Sequence, residues 1–180
     1  IWIIFANCCL SLIIKIFIMP YFLREICRND IQTINSWRNN RDIIETLGST
    51  FRYINEEIDI NWFNNYLSSR SNTIRLAICE DAANTLIGAG YLLGIDWINR
   101  SAEFAIWIGE KSYQGKGAGY FAVKEILNHA FKDLNLNRIH LTVFSTNQRA
   151  INLYKKVGFV EEGRLRQVIY KNGCYNDMLQ

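Results

Sequence analysis

A chain of 180 residues, 49% hydrophobic and 21% charged, is long enough to bury one substantial core and short for two, so one domain is expected. Its net charge of +3 comes from Lys and Arg scattered along the chain, which excludes an obvious nucleic-acid stripe but suits a small polyanionic ligand. The five cysteines, Cys8, Cys9, Cys27, Cys79 and Cys174, form no C-x-x-C pair and have only two histidines beside them, so reduced cytoplasmic thiols are expected and no metal site is.

Residues 1–18 hold only Asn7, Ser11 and Lys15 as polar residues. That run is slightly short for a membrane span of about 20 residues and lacks the basic start and small-residue cleavage site of a signal peptide. Because Met19-Pro20 stands directly before the first globular-looking strand, residues 1–18 are read as upstream sequence, with a membrane anchor as the alternative, and the domain as residues 19–180. A strong hairpin turn, Asn172-Gly173, comes so close to the end at Gln180 that this domain is expected to be clipped there.

Tyr21 to Ile26 reads as a strand, and Asn29-Asp30 offers an N-cap for a helix through Ile31, Ile34 and Trp37 to Arg38. A second helical piece ends at Gly48, and Glu56 to Leu67 carries Ile58, Trp62, Phe63 and Tyr66 at helical spacing with acids in its first turn. Three strands follow, Thr73 to Glu80, Leu86 to Ile95 and Ala102 to Ile108, the last alternating Glu103, Ala105 and Trp107 against Phe104, Ile106 and Ile108. Beyond a glycine-rich turn, Val123, Ile126, Leu127, Ala130, Phe131 and Leu134 form the apolar stripe of a long helix, leaving His129 on its solvated face. Arg138 to Phe144 reads as one strand, Asn147 to Gly158 as a capped helix, and Val160 to Gln180 as a closing hairpin. The fold class is therefore α/β (α+β): a single mixed, mostly antiparallel twisted sheet of six to seven strands with helices on both faces.

The glycine-rich turn runs Tyr113-Gln114-Gly115-Lys116-Gly117-Ala118-Gly119 and joins a strand to a helix. Glycines remove the Cβ atoms that keep an anion off the backbone, and the first helical N–H groups have no carbonyl partner, which together suit a pyrophosphate. A glycine-rich turn that merely tightens a connection reads the same way. The run Gln114 to Gly119 resembles the Q/R-x-x-G-x-G/A loop of the GNAT superfamily of acyl-CoA N-acyltransferases, and Asn147-Gln148-Arg149-Ala150 through Tyr154 to Gly158-Phe159 resembles its second signature, N-x-x-A-x-x-x-Y-x-x-x-G-F. The similarity extends from about Tyr21 to the end. Arg100 to Phe104 and Glu162 to Arg166 resemble the branch with spermidine, ribosomal-protein alanine and amino-sugar acetyltransferases.

That resemblance implies acetyl-CoA as co-substrate, no metal, and direct attack of a primary amine on the thioester in a ternary complex. The amine would be a protein N-terminus, an amino sugar or a polyamine. By the same resemblance, the loop residues Gln114, Gly115, Lys116, Gly117, Ala118 and Gly119 take the pyrophosphate. The backbone of Ile106 and Ile108 and the side chain of Asn147 take the pantetheine arm, Tyr154 is the general acid and Glu103 the base. Each has a plainer reading: Lys116 facing water, Asn147 only a helix cap, Tyr154 a core ring, Glu103 a solvated strand residue with solvent as base. A phenol with an ordinary pKa of about 10 stays protonated at neutral pH and can donate to a thiolate. The opposing function is a non-catalytic acyl-CoA-binding or interaction module. A homo-oligomer is compatible with the family, and no nucleic-acid or membrane partner is expected unless residues 1–18 anchor the chain. Arg38, Arg41, Glu45, Glu56 and Glu57 are unassigned polar groups of the helical layer where acceptor choice would lie.

Overall fold

The computed structural model describes residues 20–180, so the expectations for residues 1–18 and for a start at Met19 fall outside it. Strand β1 (Tyr21–Glu25) leads to a helical layer of α1 (Ile31–Arg38), α2 (Arg41–Ile44) and α3 (Glu56–Ser68). Strands β2 (Ile74–Glu80), β3 (Thr85–Asp96) and β4 (Ser101–Ile108) follow, then α4 (Ala118–Asn128), β5 (Arg138–His140), β6 (Val143–Phe144), α5 (Gln148–Lys156) and the hairpin β7 (Arg164–Lys171) and β8 (Cys174–Leu179).

Short-range hydrogen bonds explain several of these boundaries. The Asn55 side chain accepts from the Ile58 N–H at 3.1 Å and starts α3, whose first turn holds Glu56, Glu57 and Asp59 against the positive end of the helix dipole. Asn172 and Gly173 have φ of 52° and 83°, the paired positive values of a tight hairpin turn.

Asp30 departs from its expected role as helix cap. Arg28–Asp30 forms a short 3₁₀ turn ahead of α1, and the Asp30 carboxylate is turned inward instead. It accepts two bonds from the Arg24 guanidinium, both at 2.7 Å, and one from the Cys27 N–H at 2.8 Å. Burial alone would push its carboxyl pKa up; the Arg24 pair and the Cys27 N–H outweigh this and hold it below the usual carboxylate range. Asp30→Asn leaves Arg24 without its counter-charge and is expected to cost about 2–3 kcal/mol, a fall of roughly 5–10 °C in Tm. A carboxyl with a depressed folded-state pKa stabilises fully above its unfolded value of about 3.9 and loses that contribution as pH falls through the folded value. The difference in Tm between wild type and variant is therefore constant near neutrality and shrinks below about pH 4. A gap independent of pH would refute the ion pair as its source.

Strands β1 to β4 pair antiparallel in chain order, and β5 joins β4 in parallel. On one face of this sheet Ala77, Cys79 and Ala89 pack against Ile34 and Trp37 of α1 and Phe63 and Tyr66 of α3. On the other, Ile78, Ile87, Leu92 and Phe104 meet Ala118, Ala122, Val123 and Ile126 of α4. Helices thus cover both faces, as the alternating strand pattern requires.

Two expectations are corrected. The strand read from Arg138 to Phe144 breaks at Leu141-Thr142. Its first half pairs with β4 and its second with β8, so the sheet divides into a five-stranded part and a three-stranded part ordered β6-β8-β7. Local alternation of Ile139, Leu141 and Val143 is the same whichever strand is the partner, so it carries no sign of the switch. Phe131 leaves the apolar stripe and is 45% exposed. The chain widens into a π turn at His129–Asp133, where the Leu134 N–H reaches back five residues to the His129 carbonyl at 3.1 Å. The added residue rotates Phe131 outward while Ala130 stays buried. His129 pairs with Asp133 at 2.8 Å on the outer face.

Candidate functional site

The division of the sheet opens the site. β4 is paired to β5 only from Ser101 to Glu103, and beyond that point β5 turns away, leaving the Phe104–Ile108 backbone with no strand on that side among the described residues. A cleft of about 770 Å³ occupies the gap. It runs from the glycine loop, past β4 and α5, to the helical layer. Glu103, Ile106, Ile108, Gln114, Gly115, Gly117, Gly119, Asn147 and Tyr154 all line it.

The loop is built for close approach at the N-terminus of α4. Gly115 has φ of +79° and Gly117, the residue preceding the helix, φ of +91°, conformations that disfavour L side chains. No acidic residue sits in the first turn of α4 and no side chain caps it, which leaves its leading N–H groups to a ligand. Gln114 straps the loop in place: its Nε2 donates to the Ile108 carbonyl at 3.0 Å and its Oε1 accepts from Arg149 Nη1 at 3.2 Å. A cradle of glycine backbone at a helix N-terminus, with Arg149 at its rim, fits a pyrophosphate. Lys116 and Ala118 do not line the cleft. Lys116 Nζ lies 5.7 Å from the Tyr113 ring, its carbonyl accepts from the Tyr21 hydroxyl at 3.2 Å, and the Ala118 methyl is buried beneath the sheet.

Asn147 caps α5, its Oδ1 accepting from the Ala150 N–H at 3.1 Å. Two turns on, Tyr154 faces the cleft from the same helix. Its ring meets Phe104 edge-on at 6.4 Å and Phe159 at 5.7 Å, so it fills core as well as lining the cavity. Burial pushes its phenol up to about 12. It is therefore wholly protonated at neutral pH, with its phenol available as an O–H donor.

The far end is set by α1, α3 and the loop after α2. Lys171 holds that loop to the hairpin, its Nζ donating to the Ile44 and Leu47 carbonyls, each at 2.5 Å, and to Ser49 at 3.2 Å; burial pulls its ammonium pKa down. Of the five polar groups expected there, only Arg38 lines the cleft, and it is bound to Asp59, which is fully buried. Arg41 instead stacks on Phe51 at 4.1 Å, and Glu45 accepts from Asn172. Sequence reasoning missed Arg52, Arg75, Tyr91 and Arg149. Arg75 did carry a signal, because alternation puts it on the same buried face as Ala77 and Cys79, where a charge is out of place. Arg149 carried none, since its partner Gln114 is 35 residues away.

A split sheet that exposes one strand's backbone, a glycine cradle at a helix N-terminus and a protonated tyrosine lining the same cleft suit an acyl-CoA. Comparison with known proteins agrees. The family description Acetyltransferase (GNAT) domain matches residues 21–160. A spermidine N(1)-acetyltransferase of Vibrio cholerae is 36% identical over 156 residues, which is 87% of this chain and 88% of that protein. A spermidine N(1)-acetyltransferase of Escherichia coli is 29% identical over 164 residues, covering 88% and 82%. The crystal structure of the Vibrio cholerae spermidine N-acetyltransferase with CoA and spermine superposes with a TM-score of 0.81 at 32% identity, covering 89% of this chain and 92% of that one. A dodecameric structure of spermidine N-acetyltransferase from the same organism gives 0.76 at 32% identity, covering 89% and 91%. The chain belongs to the GNAT family of acetyltransferases. It is an acetyl-CoA-dependent N-acetyltransferase, which sets aside the non-catalytic alternative.

Proposed function

We propose that the chain moves the acetyl group by direct attack of a primary amine in a ternary complex, with Tyr154 as general acid and Glu103 as base. The observation that carries this reading is that Tyr154, Glu103 and the glycine loop share one cleft. The thioester supplies an activated acetyl group. The loop amides from Gln114 to Gly119 hold the pyrophosphate, the unpaired edge at Ile106 and Ile108 and the Asn147 side chain hold the arm, and the amine enters from the helical layer. Glu103 lies at the last paired position of β4, opposite His140, where the cleft begins. Its carboxylate takes the proton that the nitrogen loses, directly or through water. The sulfur leaves with the proton of Tyr154, which solvent then replaces. Holding both substrates in line contributes as much as either proton transfer.

Turnover is tested by following thiol release from acetyl-CoA against polyamines, peptide N-termini and amino sugars. Polyamines head this panel because the relatives act on spermidine. Glu103→Gln is expected to lower kcat/KM about tenfold at neutral pH. The deficit closes as pH rises, since deprotonated amine then comes from solution without help. A deficit constant across pH would remove Glu103 from the base role.

A homo-oligomer is supported by the dodecameric relative. Cytoplasmic residence is supported by the free thiols of Cys27, Cys79 and Cys174. Among the described residues no helix is long and apolar enough to cross a membrane.

A further inference from the structure

The end of the cleft that receives the acceptor is cationic. Arg38, Arg52 and Arg75 line it, and Glu103 is the one carboxylate among the residues of its wall. Arg38 is matched by Asp59, which also accepts from Asn35 Nδ2 at 2.7 Å. Among the described residues Arg75 has no carboxylate partner. β2 carries it inward among three aromatic rings, with its guanidinium carbon 4.7 Å from the Trp62 centroid, 4.9 Å from Tyr91 and 5.6 Å from Tyr66. Among the described residues its Nε is buried with no hydrogen-bond partner. Desolvation pulls its pKa down, although it stays far above neutrality as an arginine must. The rings offset part of the cost of that buried charge by cation–π attraction, but π-faces leave the N–H donors of a guanidinium unused.

A planar fork of donors, half-buried among rings and with no acceptor among the described residues, is an arrangement that binds a carboxylate or a phosphate in two parallel hydrogen bonds. Arg52, exposed on the rim of the same cavity, adds a second positive charge to draw such a group in. Trp62 and Tyr91 stand against the guanidinium and narrow the directions from which an anion can reach it. A polycation in the same place would set its distal ammonium against Arg52 and Arg75 with only Glu103 to balance it.

We propose that the amine acceptor of this enzyme also carries an oxyanion, a carboxylate or a phosphate, which Arg75 binds while the amine reaches Glu103 and the thioester. This rests on the acetyltransferase reading above and narrows it to a substrate class different from the polyamines named for the spermidine acetyltransferase relatives.

The test compares matched amines by thiol release from acetyl-CoA: an amino acid against the amino alcohol of equal chain length, glucosamine against its phosphate ester, and spermidine alone. The anionic member of at least one pair is expected to show kcat/KM about tenfold or more above its neutral counterpart and above spermidine. The pair that responds tells carboxylate from phosphate. Arg75→Gln is expected to erase that preference by raising KM for the anionic amine about fivefold or more beyond any change for its neutral counterpart, and Arg75→Lys to restore part of it. Arg52→Gln, at an exposed position that cannot unfold the chain, is expected to give a smaller loss in the same direction. Equal rates within both pairs, a preference for spermidine, or Arg75 variants that alter neutral and anionic amines alike would overturn the anion assignment and leave the acetyltransferase standing. No thiol release with any amine, while acetyl-CoA still shifts the melting temperature, would instead sink the enzyme reading and this one with it.

Discussion

Tyr154→Phe lowers kcat about a hundredfold while acetyl-CoA affinity stays within about twofold. The change removes one oxygen and its proton and nothing else. The ring keeps its edge-on contacts with Phe104 and Phe159, so the variant folds and melts close to wild type. In the proposed mechanism what is lost is the donor that meets negative charge as the carbon–sulfur bond breaks, an interaction made in the transition state and absent from the ground state, so kcat and not KM is expected to move. The pH dependence is equally specific. With the phenol pushed up to about 12, the acid form is present throughout the accessible range, so wild-type activity has no descending limb from Tyr154 until pH approaches that value. Stopped assays from pH 6 to 11 check this. Unchanged kcat in the phenylalanine variant would assign Tyr154 to packing alone.

Gly117→Val weakens acetyl-CoA binding about a hundredfold or more, because two penalties fall on one residue. Gly117 has φ of +91° as the residue that turns the chain into α4, a conformation costing a β-branched side chain about 1–2 kcal/mol. Gly117 also lines the cleft, so in the mechanism proposed above added methyls would crowd a pyrophosphate held on the loop. Calorimetric titration of acetyl-CoA reads the second penalty, and thermal unfolding without ligand reads the first as a fall of roughly 2–8 °C. A variant that melts early but binds normally would show that the glycine serves the turn and not the anion. Gly117→Ala lies between the two, with the same strained backbone and less bulk.

Much of this protein was legible before its structure was known, and the parts that were share a feature. The Asn55 and Asn147 caps and the Asn172-Gly173 turn each close a hydrogen bond or a turn within a few residues, so residue type and spacing suffice. The same holds for the glycine loop, whose positive φ values at Gly115 and Gly117 only glycine takes readily. The two motifs also lie on the elements expected of them, with Asn147 and Tyr154 two turns apart on one helix face.

Tertiary structure alone decided the rest, because there the partner is far along the chain. Nothing local tells Leu141-Thr142 to leave β4 for β8, yet that departure opens the cleft. Asp30 gives up a helix cap for Arg24 because a buried bidentate pair outweighs one capping bond. Arg149 reaches Gln114 across 35 residues, and Lys171 reaches Ile44 across 127. Arg75 went unnoticed in its apolar strand, and only the packing of Trp62, Tyr66 and Tyr91 around it makes it the binding group proposed above. Residue types and spacing marked a glycine-rich turn at the start of a helix from Gln114 to Gly119, and the family resemblance, not the spacing, implied an acyl-CoA there. The three-dimensional meeting of α3, β2 and β3 decided what charge the other substrate encounters, because burial without a partner is a property of the assembled neighbours and not of any one segment.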